Sequence, residues 1–599
     1  MLKHVLRYFA TVFIVAFLFG CGGGDEEVAS NSTVSEVPPA VAPQPVETTP
    51  IPPVVTPVDP PQPTTPVAPT QPSPPVVVTP APQPPAVTPT PTPVVVVPTP
   101  TPAPVVVVPT PQPPVTVVPT TTCVASTGTD YQVGPGKAYT SLDAVPWETL
   151  KAGDTVRIFY TPTPYKSKFM VSAAGTAAAP VRICGVKGVN GERPIISGDG
   201  ATTRPQLLTH YGNTTETQGI HQDRTVIVIK ASGAGNYTDV PSYITIDGLD
   251  IRAGHPNYSY KDAAGVIKPY AQFGACVWVD RGHNILLKDN VISDCQMAVF
   301  SKSTEEGDFG VTMNLGLVNN YFYGNGIAGS DREHTTYTQS SGVLIEGNHY
   351  GPLRPGAMGN SAKDRSVGLV VRYNHIEEGA RNLDMVEAED FPTYAMAQPN
   401  YRVTYVYGNL FEKSGDTGSF FHYGGDHFGA PTGANWGEGL FRRGTLYFFN
   451  NTVIAKGSNV RLFQISTTLE TAEVYNNVFW YGGGEYYFRQ AENDTLSPLY
   501  TGDGILNFGK NWFKSGVVDV DQYHTHKGQV NGTANLIVGA TPPIDLVTMK
   551  PLVGSVIVDA SQAGIGSAAG IAVTYVNTDV GTKPRVTTGA GIDMGAFEY

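Results

Sequence analysis

The stretch Asn360–Ser366, NSAKDRS, places Lys363 and Arg365 two residues apart in a chain with only 15% charged residues and a net charge of -13. Residues i and i+2 of a strand share a face, and neither long cation enters an apolar interior without severe cost, so both are expected to project outward. Registering the neighbouring strands on a recurrent asparagine enlarges the group. Tyr337 lies 11 residues before Asn348 and Lys363 lies 11 before Asn374, while Gln339 and Arg365 each lie 9 before the same markers. In register, Tyr337 stacks on Lys363 and Gln339 on Arg365. A phenol, an amide, an ammonium and a guanidinium then share one patch. That set suits β-elimination beside a carboxylate, which needs the carboxylate neutralised, a base for the adjacent C–H proton and an acid for the leaving oxygen. Arg365 suits bidentate carboxylate binding. Lys363, its pKa lowered by the guanidinium, is the candidate base. Tyr337 or His334 is the candidate acid, although strand parity turns His334 away and a bend must bring it in. Gln339 and Arg354 are candidate substrate contacts. The alternative is that the cations only pair with a nearby acidic run.

That run, NLDMVEAED, holds Asp384, Glu387, Glu389 and Asp390. Four carboxylates in seven positions can hold Ca²⁺, supply a hydrolase acid/base pair, or compensate the cations. The following Gly-rich stretch 414–444, SGDTGSFFHYGGDHFGAPTGANWGEGLFRRG, reads as a projecting insertion. Its His422, Tyr423 and Trp436 offer aromatic faces and polar tips suited to sugar. Packing flat on the body of the fold is the competing reading. His422 and His427 hint at a metal only weakly, because the Gly-rich spacing gives little preorganisation.

The elements that position these residues are short apolar strands, each leading into Asn (once Gly) and further strand-forming residues. Examples are YITIDGLDI, NILLKDNVI, LVNNYFY, VLIEGNHY, LVVRYNHI, VTYVYGNLF, LYFFNNTVI, AEVYNNVFW and NFGKNWF. The markers Gly248, Asn290, Asn320, Asn348, Asn374, Asn409, Asn451, Asn477 and Asn511 are spaced by 42, 30, 28, 26, 35, 42, 26 and 34 residues. A floor near 26 reads as one coil, and the excesses as loop insertions. Asn tolerates a left-handed bend, and its amide can bond the Asn of the next coil. Coils stacked about 4.8 Å apart through parallel ladders bury an apolar face that none can bury alone. The expected fold is all-β, a right-handed parallel β-helix with an N-terminal cap.

The segments GPGKAYTSLDAVPWETLKAGDTVRI (134–158) and GTAAAPVRICG (175–185) resemble the opening coil of right-handed parallel β-helix carbohydrate-active proteins. In that family a short helix, here SLDAV, caps the first coil, and the closing GIDMGAFEY resembles its final strand. The pattern His334-x-x-Tyr337, an Asn turn, then Lys363-x-Arg365 resembles one shared by many exported β-helix proteins, and Lys/Arg pairs serve some β-helix polysaccharide lyases. The resemblance implies fold more than activity, since the scaffold hosts lyases, hydrolases, epimerases and adhesins. No polygalacturonase-like aspartate cluster and no Asp-Pro-His-Asp motif is present. A lyase acting on an anionic polysaccharide is expected. A glycoside hydrolase and a non-catalytic glycan-binding or adhesin protein are the alternatives.

The N-terminus MLKHVLRYFATVFIVAFLFGC carries basic residues and an apolar run too short for a comfortable membrane span, as in an export signal. LFGC resembles a lipobox, which implies a signal over 1–20, acylation of Cys21 and, with Gly22 next, an outer-membrane address. The stretch 21–122 is dominated by Pro, Thr and Val, cannot bury a core, and is expected to be a disordered, extended linker. Residues 123–599 form the folded domain. Without CxxC spacing, the cysteines of an exported chain are expected as disulfides, Cys123 with Cys184 and Cys276 with Cys295. An acidic domain without a basic stripe argues against a nucleic-acid partner.

Overall fold

The computed structural model describes residues 122–204, 222–233, 235–427, 438–490, 504–519 and 528–599. The expected signal, Cys21 and the linker through 121 lie outside the described residues, as does Trp436. The remainder is a right-handed parallel β-helix. Its strands line up in two thirteen-stranded sheets and one of eleven. A coil runs from a strand of the first sheet (Ser341–Glu346) to one of the third (His349–Tyr350), then one of the second (Ala362–Asp364). It then re-enters the first sheet at Val367–Arg372, in register with the strand it left, Val343 against Leu369 and Ile345 against Val371. Alternate side chains point into the lumen, where Val343, Ile345, Leu369, Val371, Val406, Phe448 and Val474 belong to one continuous core.

The corner between the first and third sheets carries the asparagines. Asn290, Asn320, Asn348, Asn374, Asn409, Asn451, Asn477 and Asn511 form one buried amide ladder, each Nδ2 donating to the Oδ1 of the next at 2.9–3.2 Å. Each Oδ1 also accepts the backbone N–H of the preceding rung, as Asn374 does from Asn348 at 2.9 Å. Two expectations need correction. The left-handed residue is the one before the ladder asparagine: Asp289, Asn319, Gly347, Tyr373, Gly408, Asn450 and Asn476 all have positive φ. The tight bend and the amide ladder are thus divided between neighbours. Gly248, counted as a marker, occupies this left-handed position (φ 72°), and Leu249 holds the ladder place, donating to Asn290 Oδ1.

At the N-terminal end two 3₁₀ turns, Leu142–Ala144 and Trp147–Thr149, take the place of the expected cap helix, and Trp147 stacks on Phe169 at 4.0 Å. Both disulfides, Cys123–Cys184 and Cys276–Cys295, are formed. The C-terminal end departs from expectation: GIDMGAFEY is not a strand. The last segment instead doubles back along the outside of the solenoid. Ala568 and Val573 pack on an outward ladder of Tyr373, Tyr407, Phe449 and Tyr475, and Met594 packs against Leu410, Ile454, Val478 and Trp512. The reason is burial, since these outward aromatic and aliphatic columns would otherwise face water.

Each ladder amide satisfies several buried groups at once, so removing one leaves partners stranded at about 1–3 kcal/mol each. Asn374→Ala is expected to lower the unfolding midpoint clearly. Asn531→Ala, at the exposed end of a strand, is expected to leave it nearly unchanged. Denaturant titration of both variants checks this.

Candidate functional site

Second-sheet strands set one outward column on successive coils. Trp278 pairs with Phe300, Phe300 with Tyr337, Tyr337 with Lys363, Lys363 with Asp384, Asp384 with His422 and His422 with Gln464. The column is aromatic over its first three rungs and ionic or polar afterwards. Beside the ionic rungs, the turn from the second sheet back to the first carries two insertions. One begins at Glu387 and contains the helix Pro392–Ala397; the other leaves the strand Ser419–Tyr423 and returns at Thr445–Phe449. These insertions cover the column, so its charges point outward yet are shielded from water.

At the centre, Asp426, set after Gly424 and Gly425, bridges the two cations. Its Oδ2 accepts from Lys363 Nζ at 2.6 Å, and its Oδ1 accepts from Arg365 Nη2 at 2.9 Å. Lys363 Nζ also donates to Asp384 Oδ2 at 3.0 Å. Arg365 donates from Nε to the Tyr337 hydroxyl at 2.9 Å and from Nη1 to Glu387 Oε2 at 3.1 Å, and Nε lies 3.1 Å from Glu389 Oε1. Tyr337 in turn donates to Glu389 at 3.0 Å. His427 Nδ1 lies 2.7 Å from Glu387 and 3.0 Å from Asp426. His422 lies between Asp384 (2.8 Å) and Ser466 (3.0 Å). The Arg365 side chain is 0% exposed, Lys363 4% and Asp426 21%, so Asp426 is the most open part of this carboxylate-holding group. Beneath it, the fully buried Arg442 donates to Asp364 at 2.9 Å and fixes the turn that carries Arg365.

Burial at low dielectric sets the protonation states. Burial opposes charge on Asp384, but Lys363 and the His422 hydrogen bond outweigh it and hold its pKa well below the carboxylate range. Burial likewise opposes charge on Asp426, where Arg365 and Lys363 win. Tyr337 is driven well above its ordinary value by burial and stays protonated. Burial, then Lys363, depresses His334 to about 3. His334 is therefore neutral, and because its Nδ1 accepts the Asn360 N–H at 3.0 Å, its proton sits on Nε2, which has no hydrogen-bond partner among the described residues. Glu389 is raised, chiefly by burial.

Several sequence expectations change. Burial and Arg365 do push the Lys363 pKa down, as expected, but Asp384 and Asp426 outweigh them and it rises, so Lys363 is held as ammonium. The bend that brings in His334 exists, placing its ring 5.6 Å from Tyr337. Gln339 donates to Asp390 at 2.6 Å. Tyr423 is not a sugar platform: it alternates with outward His422 and lies wholly in the lumen core. Arg354 joins a different grouping, paired with Asp294 and donating to the Gly326 carbonyl at 3.1 Å. Asp384, Glu387, Glu389 and Asp390 do not fit as a Ca²⁺ cage. Each of the four already accepts hydrogen bonds, from Lys363, Arg365, Tyr337, Gln339, Asn360 and His427 or its neighbours. Glu389 Oε2 is the one buried oxygen of theirs left without a hydrogen-bond partner among the described residues, whereas Ca²⁺ takes six to eight oxygen donors. At this site, among the described residues, Glu387, Asp426 and His427 do converge, with ligand atoms within 4.8 Å of one another. Asp426 and Asn360 escaped the sequence reading. The signal for Asp426 was its place in a Gly-flanked insertion, and for Asn360 its place one coil before Asp384.

No family model and no curated protein matches the chain. Solved structures do. The chain is similar to an alginate lyase from Paenibacillus sp. (14% identity, 57% of this chain and 91% of that chain, TM-score 0.34). It is also similar to a rhamnogalacturonan lyase (13%, 69% and 87%, TM-score 0.34) and to a PL6 family polysaccharide lyase from Pseudopedobacter saltans (13%, 70% and 95%, TM-score 0.34). The likeness is one of scaffold.

His427 links the site to pH. Burial lowers its pKa, but Asp426 and Glu387 raise it to about 10 against an ordinary 6.5. Its charge therefore stabilises the fold fully below pH 6.5, and this contribution is lost as pH rises through 10. The melting temperature is expected to fall across that window, and His427→Gln to flatten the fall. Thermal melts from pH 6 to 10.5 (roughly the span of those two pKa values) on both proteins decide it.

Proposed function

We propose that the domain 123–599 degrades an anionic, uronate-containing polysaccharide by β-elimination, with Lys363, Arg365, Tyr337 and His334 as its working residues. The observation that carries this reading is the Asp426 carboxylate chelated between Lys363 and Arg365 on the outside of the solenoid. A receptor that holds one carboxylate in this way suits another. When a uronate carboxylate takes the Arg365 guanidinium in place of Asp426, the fork binds both oxygens and neutralises the charge, which acidifies the adjacent C–H. Losing Asp426 also removes one of the two carboxylates that keep Lys363 protonated, while burial and Arg365 still press its pKa down. Lys363 releases its proton to water as the uronate binds; the free amine then takes the proton from carbon, and the electron pair forms the C=C bond as the C–O bond to the neighbouring sugar breaks. Tyr337, protonated and hydrogen-bonded by Arg365, gives its proton to the leaving oxygen. The His334 Nε2–H is a buried donor for a substrate oxygen. The half-buried Phe300, packed on the buried Trp278 with ring centroids 4.4 Å apart, continues the surface along the solenoid axis toward further sugars.

Hydrolysis is the second reading, and Glu389 favours it, because burial raises its pKa toward that of a proton-donating carboxyl. Against it, Asp384 and Asp426 are both held ionised, and Glu389 lies against Arg365. The N-terminal sequence supports an export signal and acylation of Cys21, with the Pro-rich segment as spacer from an outer membrane.

A panel of uronate and neutral polysaccharides separates the readings. Ultraviolet-absorbing unsaturated ends are expected on a uronate polymer, reduced about 100-fold or more by Lys363→Ala or Arg365→Ala with the fold intact. Reducing ends without that absorbance would mean hydrolysis, and binding without turnover a non-catalytic role. Separately, Cys21→Ser is expected to abolish lipid labelling and release the protein from membrane pellets; persistent membrane association would remove the anchor.

A further inference from the structure

A second cluster of ionisable groups lies on the outer face of the third sheet, apart from the residues discussed above. His349 and His375 are directly paired across neighbouring strands, and their rings stack with centroids 4.4 Å apart and planes 12° apart. Glu377, two residues after His375 and thus on the same face, pairs in register with Glu412 of the next coil. The two imidazoles are addressed from both edges. On one edge, His349 Nε2 lies 2.7 Å from Glu377 Oε1, and His375 Nε2 lies 2.9 Å from Glu412 Oε2 and 3.7 Å from Glu377 Oε1. On the other, both Nδ1 atoms meet one oxygen, Asp579 Oδ1, at 3.0 and 3.3 Å.

Asp579 belongs to the returning C-terminal segment, in the turn between the paired strands Tyr575–Asn577 and Thr582–Pro584. That turn is tied to the solenoid corner where Gly581 N–H donates to the Gly347 carbonyl and Asn577 Nδ2 to the Tyr373 carbonyl. When His375 donates its Nδ1–H to Asp579, its Nε2 lone pair faces Glu412, while the His349 Nε2 faces Glu377. A lone pair facing a carboxylate at such distances needs a proton or a metal ion between them. Histidine ligands of zinc-class ions characteristically donate their remaining ring N–H to a carboxylate, as His375 is placed to do to Asp579, whose Oδ1 also lies 3.0 Å from His349 Nδ1. Tetrahedral ligands about 2.0–2.1 Å from such an ion lie about 3.3 Å from one another, and the Nε2-to-oxygen distances above bracket that value. The His349, His375 and Glu377 ligand atoms all lie within 4.8 Å of one another. Lys456 holds the other oxygen of Glu412 at 2.7 Å, orienting it.

We propose that His349, His375 and Glu377 form a site for a divalent transition metal of the zinc class, with Glu412, beside His375, as a further carboxylate next to it. Asp579 acts as the outer-shell acceptor that couples the metal to docking of the C-terminal segment. Imidazole and carboxylate donors together suit Zn²⁺, Co²⁺ or Ni²⁺ rather than Ca²⁺, which selects oxygen alone. The two rings are only 11% and 13% exposed and the two glutamates 27% and 13%, so the site is shielded yet reachable from solvent.

The full chain, stripped with a chelator, is titrated with Zn²⁺ against a chromophoric competitor, and with Co²⁺ by visible absorption. One equivalent is expected. The double variant His349→Ala/His375→Ala is expected to lose it, as is His375→Gln, which keeps side-chain bulk should the double variant melt early. Asp579→Asn is expected to keep the stoichiometry with affinity weakened about 10- to 100-fold. Absence of stoichiometric uptake, or an equivalent that survives in both histidine variants, overturns the site; the first outcome means that protons alone hold the ring pair together.

Discussion

A solenoid stands or falls on what happens to the backbone at its corners. Along a strand, N–H and C=O groups find partners in the coils on either side, but at a tight bend the chain turns out of register and those groups would be buried unpaired. The ladder asparagines resolve this. Each side chain supplies the acceptor for the previous rung's N–H and donates to a lumen-side carbonyl, as Asn348 does to Leu317 and Asn374 to Ile345. Because every amide must also meet its neighbour, the ladder permits one register only. The alignment of outward residues on the second sheet follows from that constraint, and with it the meeting of Tyr337, Lys363, Asp384 and His422.

The charges gathered there are costly to desolvate, and their mutual pairing is what makes burial tolerable. No pair acts alone. Asp426 is shared by Lys363 and Arg365, Glu387 by Arg365 and His427, and Asp384 by Lys363, His422 and Asn360. Moving one member changes the charge state of the others. The buried Asp364–Arg442 pair beneath the turn fixes the frame on which these groups sit.

Much of the frame was legible in the sequence because a ladder amide leaves a periodic mark and strand parity is strict. The register of Tyr337 on Lys363 followed from counting to Asn348 and Asn374 alone. Parity also misled where it was not applied: Tyr423 next to His422 had to face the lumen, yet both were read as one aromatic surface. The left-handed residue at the bend was assigned one place too late, because Asn serves equally well in either role. What counting could not supply was the set of contacts made by insertions. Asp426 joins Asp384 in reversing the expected effect of Arg365 on Lys363, and a residue just after two glycines, outside any strand, has no register from which to place it. The returning C-terminal segment was hidden for the same reason, since it pairs with outward side chains rather than with a strand.

That segment has a consequence for how the molecule is built. Coils can form in order as the chain is made, each on the edge left by the last, but the residues that cover the outward tyrosine ladder lie beyond position 560, after the last strand of the solenoid. Until that segment has been made, a finished stack of coils shows a bare greasy seam along one corner. The window between the last coil and the closing of that seam is when the nascent protein is most prone to stick to a second copy of itself.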